Sequence, residues 1–168
     1  MMLPELLHVQ QEHFRAEAML NLYSRRPNFI DMSPTATPTF RHQISIAQKD
    51  IDDMGHVNNA VYVRWVQEAV VQYWKHVSPA HAQAQLLWVA LKHEITYRTP
   101  LVMGDQVTAL VTATATRGSR ASFTTQFWSG VRMAAEARSS WCCVDATTRR
   151  PRRIADEIAT LFLPAANT

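Results

Sequence analysis

From Asn59 to His76 the chain places apolar side chains at Tyr62, Trp65, Val66, Ala69, Val70 and Tyr73, a wide stripe at the period of an α-helix. Almost everything after it alternates at period two instead. Trp88 to Arg98 sets Val89, Leu91, His93, Ile95 and Tyr97 against Trp88, Ala90, Lys92, Glu94 and Thr96. Gln106 to Thr116 carries Val107, Ala109, Val111 and Ala113 on one face and repeated threonines on the other. Ala121 to Trp128 and Val131 to Asp145 are two further strands, and Gly104-Asp105, Gly118 and Ser129-Gly130 mark the turns. One more strand, Phe40 to Ile46, precedes the helix. A single long helix among strands points to an α+β layer, with the helix buried against the concave face of an antiparallel sheet. The four strands after the helix are expected to pair sequentially as a meander, and dimerisation to cover the sheet's edges and far face.

The first 39 residues read as an appendage to this unit. Pro4 to Tyr23 is expected to be helical, and Asp31 to Thr39, with Pro34 and Pro38, to be a linker, leaving residues 40–168 as the main domain. A short C-terminal helix is expected to begin near Ile154 and close over Ala159 to Leu163. Hydrophobic residues make up 47% of the chain and charged residues 18%, a globular composition, and a net charge of +3 suits an anionic small molecule as readily as a nucleic acid. A nucleic-acid role would rest on Arg117, Arg120 and the cluster Arg149, Arg150, Arg152 and Arg153, without a recognition helix or interleaved aromatics, so none is expected. Cys142 and Cys143 are strand neighbours facing opposite ways, which argues against a disulfide between them and against a metal pair. No window approaches the ~20 apolar residues of a membrane span. The N-terminus has Glu5, Glu12 and Glu17 in place of a basic start with an apolar core, so cytoplasmic residence is the expectation.

Chemistry concentrates between Asp50 and Asn59, where three carboxylates, a glycine, a histidine and two asparagines fall within ten positions just before the helix. A carboxylate and an imidazole beside a helix N-terminus supply an acid/base pair and an oxyanion site. Asn58 or Asn59 is suited to cap the helix, and the amides from Val57 to Ala60 are candidate oxyanion donors. Each residue also has a plainer use. Asp52 could accept local amides in a turn, Asp50 and Asp53 could be structural, and Glu68 could pair with Arg64 at i−4. Tyr62 and Trp65 are core residues first and pocket lining second.

The run Asp50-Ile51-Asp52-Asp53-Met54-Gly55-His56-Val57-Asn58-Asn59, with Tyr62, Trp65 and Glu68, resembles the signature of the 4-hydroxybenzoyl-CoA thioesterase-like branch of the hotdog-fold acyl-CoA thioesterases. Ile95 to Leu101, with Gly104-Asp105, is similar to that family's strand and turn after the central helix. The resemblance covers roughly residues 40–163. It implies a hotdog fold, a long helix wrapped by an antiparallel sheet, paired into homodimers and often tetramers. It also implies an acyl-CoA substrate bound near the subunit interface and cleaved to free acid and coenzyme A without metal or other cofactor. Asp52 matches the catalytic acid, His56 the histidine of the Gly-His-Val-Asn-Asn members, and Glu68 a carboxylate of the family's helix. Met54 stands where plant acyl-carrier-protein thioesterases carry asparagine. Val57, Asn58, Asn59, Tyr62 and Trp65 would surround the acyl thioester. On charge grounds alone, Arg150 and Arg152 are candidates for the 3′-phosphate of coenzyme A, and the plainer use of the Arg149 to Arg153 cluster is a solvated turn. The alternative is a hotdog protein that binds an acyl thioester or acyl carrier protein without hydrolysing it.

Overall fold

In the computed structural model, residues 39–163 are described. The helix expected over Pro4 to Tyr23 and nearly all of the expected linker lie outside them; Thr39, placed at the linker's end, already belongs to the first strand. The elements follow as β1 (Thr39–Ser45), a 3-10 turn (Gln48–Asp50), α1 (Asn59–Val77), α2 (Ala80–Gln85), β2 (Leu86–Tyr97), β3 (Gln106–Arg117), β4 (Arg120–Ser129), β5 (Arg132–Asp145) and α3 (Asp156–Phe162). The five strands form one sheet in the order β1-β3-β4-β5-β2, every neighbouring pair antiparallel.

That order corrects the expected four-strand meander. β3, β4 and β5 do run as a meander, but β2 pairs with β5 at the opposite edge from β1. The connection after β2 is occupied elsewhere and cannot act as a hairpin. The amides of Arg98 and Thr99 bond to the carbonyl of Ala134, Pro100 has no amide to give, and Leu101 is wholly buried. Asp105 then fastens the crossover from its far side. Its carboxylate accepts from the Val102 amide at 3.0 Å, the Ser129 hydroxyl at 3.0 Å and Arg132 at 3.1 Å.

α1 begins and ends where its caps dictate. The Asn58 side chain accepts from the Ala60 amide at 2.9 Å, and at the other end the Ser78 hydroxyl donates to the Trp74 carbonyl at 2.6 Å. The six stripe residues are buried, joined by Trp74. They face Val107, Ala109, Val111 and Ala113 of β3, Ala121, Phe123, Thr125 and Phe127 of β4, and Ala135, Ala137 and Trp141 of β5. Tyr62 meets Phe127 edge to face at 5.5 Å, and Phe40 of β1 stacks on Tyr73 at 5.4 Å. α3 closes the far end: Phe162 touches Tyr73, Trp74, Trp88 and Phe123.

β2 departs from uninterrupted alternation. A register shift between Ala90 and Lys92 leaves Leu91 unpaired. Trp88 and Ala90 pack on the core before this bulge and Ile95 after it, while Val89 and Leu91 remain 49% and 48% exposed. One extra residue switches which side chains face inward.

At the centre of the sheet's inner face, Thr125 is fully buried between Val111 and Ala137, and its hydroxyl has no partner among the described residues. Removing an unsatisfied buried hydroxyl while keeping the shape is stabilising. Thr125→Val is therefore expected to stabilise the fold by about 1 kcal/mol or more, read as a higher urea midpoint at unchanged m-value. A lowered midpoint would show that the hydroxyl is needed.

Candidate active site

The chain leaves β1 through the 3-10 turn and enters a miniature hairpin before α1. Ile51 and Val57 form an isolated antiparallel bridge, and inside it the Asp52 amide donates to the His56 carbonyl at 2.8 Å. Asp52 and His56 are thus opposed across a tight turn closed by the Gly55 amide on the Asp52 carbonyl at 3.0 Å. Gly55 has φ of +79°, a conformation that disfavours a side chain. One carboxylate oxygen of Asp52, Oδ1, accepts from the amides of Met54 at 2.9 Å and His56 at 3.2 Å. The expected local turn role is therefore present, and it uses one oxygen; Oδ2 has no hydrogen bond among the described residues. Both side chains are half-buried.

The hairpin is fixed on two sides. The Val57 amide donates to the carbonyl of buried Leu101 at 2.8 Å, and His56 bridges to Val102, so the crossover after β2 forms its floor. On the other side the Asn58 amide donates to the Asp50 carbonyl at 2.8 Å. These bonds correct part of the expected oxyanion set. The amides of Val57, Asn58 and Ala60 are already committed within the chain, which leaves that of Asn59 without an acceptor among the described residues. The Asn59 carbonyl, in turn, accepts from the Tyr97 hydroxyl at 3.0 Å.

Tyr62 and Trp65 lie beneath this turn as core, at 3% and 2% exposure. Burial, with a smaller contribution from neighbouring Tyr97, pushes the Tyr62 phenol up to about 12, so it remains protonated near neutrality. Glu68 lies elsewhere. It is half exposed, two turns along α1, and meets His42 of β1 at 3.3 Å. The expected Arg64–Glu68 pair does not form, because the Arg64 guanidinium goes to the buried carboxylate of Asp50. Two open concavities, of about 590 and 360 Å³, run along this side of α1 and share Arg64 and Glu68; neither is lined by Asp52 or His56. Of the three candidate catalytic residues, the fold brings Asp52 and His56 together and sets Glu68 apart.

The arginine cluster occupies the turn after β5. Arg152 is tied to Asp145 at 3.1 Å, and the amides of Thr147 and Thr148 close on the same carboxylate, while Arg150 is exposed. Hydrogen bonds from these amides, then from Arg152, hold the Asp145 carboxyl below its usual range. Asp145 pairs with Leu86, whereas the helix N-terminus lies by Tyr97, which pairs with Ala135. Ten residues of strand, roughly 30 Å, separate the two ends, so within one chain the cluster is remote from Asp52. The Asp50–Arg64 and Asp105–Arg132 pairs do not follow from the sequence motif. The turn at Gly104-Asp105 is a sequence signal for the second; the first joins residues whose proximity depends on the fold. Among the described residues no three His, Cys, Asp or Glu side chains gather where they could hold a metal ion, and no helix is long and apolar enough to cross a membrane.

Residues 46–162 match the model of the thioesterase-like superfamily. No curated protein matches the chain. Solved structures similar to it include a thioesterase complexed with coenzyme A and Zn from Thermus thermophilus, 23% identical over 73% of this chain and 90% of that one, with a TM-score of 0.64. A 1,4-dihydroxy-2-naphthoyl-CoA thioesterase from Synechocystis is 15% identical, covering 77% and 99%, with a TM-score of 0.64. The probable thioesterase YbaW of Escherichia coli is 21% identical, covering 72% and 94%, with a TM-score of 0.63. The matched segment spans β2 to β5, the central helix and the Asp52–His56 turn, so the chain belongs to the thioesterase-like superfamily, with the hotdog fold and with thioester hydrolysis as its class of chemistry.

Proposed function

We propose that the protein hydrolyses an acyl-CoA thioester to the free acid and coenzyme A, and that Asp52 carries the reaction. The observation behind this is the opposition of Asp52 and His56 at the start of α1, with Oδ1 held by two amides and Oδ2 left to react. Oδ2 either attacks the thioester carbon, expelling the coenzyme A thiolate and leaving an anhydride for water to cleave, or takes a proton from the water that attacks directly. The Asn59 amide and the positive end of α1 receive the developing oxyanion, and His56 places and polarises the carbonyl. Val57 and Asn58 contribute by shaping the turn, and Tyr62 and Trp65 by forming the floor beneath it. Glu68, beside His42, is assigned an assisting role from the open groove. The alternative, a hotdog protein that binds an acyl thioester or acyl carrier protein without cleaving it, draws support from the turn-forming role of Asp52, which needs only an acceptor oxygen. Asp52→Asn retains that acceptor and removes the charge, so it separates the two. We expect a loss of about 10²-fold or more in kcat/KM with the melting temperature nearly unchanged, and a smaller loss, about ten- to a hundredfold, for His56→Ala. If Asp52→Asn keeps more than about a third of wild-type kcat/KM while Glu68→Gln is dead, the helix carboxylate is the catalytic one. Thiol release across acetyl- to palmitoyl- and benzoyl-CoA establishes the acyl preference.

The working unit is a homodimer, which can assemble further into a tetramer. β2 is an edge of the sheet and presents Val89 and Leu91 to solvent, and a second copy laid along it would cover both. Light scattering at low micromolar concentration should give at least twice the 19.1 kDa of one chain. Leu91→Lys should shift the population toward monomer. A wild-type protein that is mainly monomeric removes the dimer.

The exposed guanidinium of Arg150, with Arg152 keeping the turn in shape through Asp145, is assigned to the nucleotide end of coenzyme A. Arg150→Ala should raise KM for acyl-CoA several-fold more than for the matching acyl-pantetheine. Equal effects on the two substrates return the cluster to a solvated turn.

A further inference from the structure

We infer that Asp50 and Arg64 form a positioning pair that sets the Asp52–His56 turn against the start of α1, an assignment that rests on the hydrolytic reading above. Asp50 connects three parts of the chain that meet at the turn. Its side chain accepts from the Ala47 amide, just beyond the end of β1, at 3.1 Å, and from Arg64 in the second turn of α1. Its backbone carbonyl accepts from the Asn58 amide, the cap of the same helix, at 2.8 Å. The Ile51–Val57 bridge and the Asp52–His56 bond follow at the next two positions. A rotation of Asp50 would therefore move both candidate catalytic side chains.

Burial distinguishes this pair from the others. The Asp50 side chain is 4% exposed, against 19%, 28%, 51% and 61% for the carboxylates of the other ion pairs among the described residues. An exposed carboxylate whose partner is lost is solvated by water and keeps its place. A buried one has to find another partner or move. An apolar residue could fill the same space without that cost, so directional constraint is what the ion pair adds. Arg64 supplies the constraint from a rigid element. The aromatic face of α1 is packed into the core, and Arg64 lies one residue before buried Trp65, so the guanidinium has a fixed origin. Displacing reacting groups by about 1 Å can cost on the order of 10²-fold in rate.

The test combines kinetics with amide hydrogen exchange in Arg64→Met, Arg64→Lys, Asp50→Asn and the Asp50→Asn/Arg64→Met double variant, with Asp52→Asn as the reference. A positioning role predicts a ten- to hundredfold fall in kcat for Arg64→Met with KM within threefold. Substantial recovery is expected in Arg64→Lys, and partial recovery in the double variant, which has no unpaired buried carboxylate. It also predicts exchange at the His56 and Asn58 amides at least tenfold faster in Arg64→Met, with the β3 to β5 amides unchanged. If the variants melt earlier yet keep wild-type kcat and turn-amide exchange below their melting points, the pair is merely structural and the inference is overturned. A raised KM at unchanged kcat would instead make Arg64 a substrate contact and equally overturn it. Should Arg64→Met not fold, Asp50→Asn carries the same readouts, with the same fall in kcat and faster turn-amide exchange expected. An Asp52→Asn variant with wild-type activity would sink the catalytic assignment of Asp52, while the exchange measurement still decides the fate of the pair.

Discussion

The close approach of α1 to the sheet governs the rest of the molecule. Large rings on the helix, Tyr62, Trp65, Tyr73 and Trp74, meet a sheet face in which Ala109, Ala113, Ala121, Ala135 and Ala137 leave room between larger residues such as Phe123, Phe127 and Trp141. Large against small lets the two layers interdigitate. Truncating a buried aromatic of this kind costs about 3–5 kcal/mol, a large part of the ~5–15 kcal/mol that holds an ordinary domain. With the helix fixed in the hollow of the sheet, its N-terminus lies beside the end of β2, where the Tyr97 hydroxyl reaches the Asn59 carbonyl. The crossover from β2 to β3 then has to pass beneath that end, and it becomes the floor on which Val57 and His56 are bonded.

The parts of this arrangement that can be read from the sequence are the local ones. The helix is expected over Asn59 to His76 and found over Asn59–Val77, because a period of 3.6, a capping asparagine and Pro79 all act within a few residues. The β3 and β4 faces follow from alternation for the same reason. The meander is wrong because pairing is a contest between distant segments, and the residues that decide it, Pro100, Leu101 and Asp105, act through partners in other parts of the chain. Likewise the exposed positions of Val89 and Leu91 depend on a bulge that the alternation of β2 does not announce. In the site, Asp52 and His56 are legible because they stand only four positions apart. The Asp50–Arg64 and His42–Glu68 contacts bridge fourteen and twenty-six positions and become visible only once β1, the turn and α1 are assembled.

Arg64 illustrates how the fold overrules a helix rule. A glutamate four residues along, at Glu68, is the usual partner, and such pairs contribute about 0.2–0.5 kcal/mol on an exposed helix. Asp50 offers a charge that water scarcely reaches, so the same guanidinium relieves a larger desolvation cost there. Glu68 is left facing His42, with half of its side chain in solvent.

The redistribution also shapes the charge around the turn. Asp50, Asp52 and Asp53 lie within four positions, where bare carboxylates repel one another. Asp53 is exposed, where water and salt screen it, and Asp50 is neutralised by Arg64. Asp52 has neither full hydration nor a guanidinium; two backbone amides hold one oxygen, and an imidazole-bearing residue is opposed to it across the turn. The amide donors cover only one of the two oxygens, so one edge of the carboxylate remains open to a substrate. A lysine or arginine salt bridge at Asp52 would occupy the edge that has to react. Placing the cation on the neighbouring buried aspartate keeps the turn rigid and leaves the central carboxylate accessible.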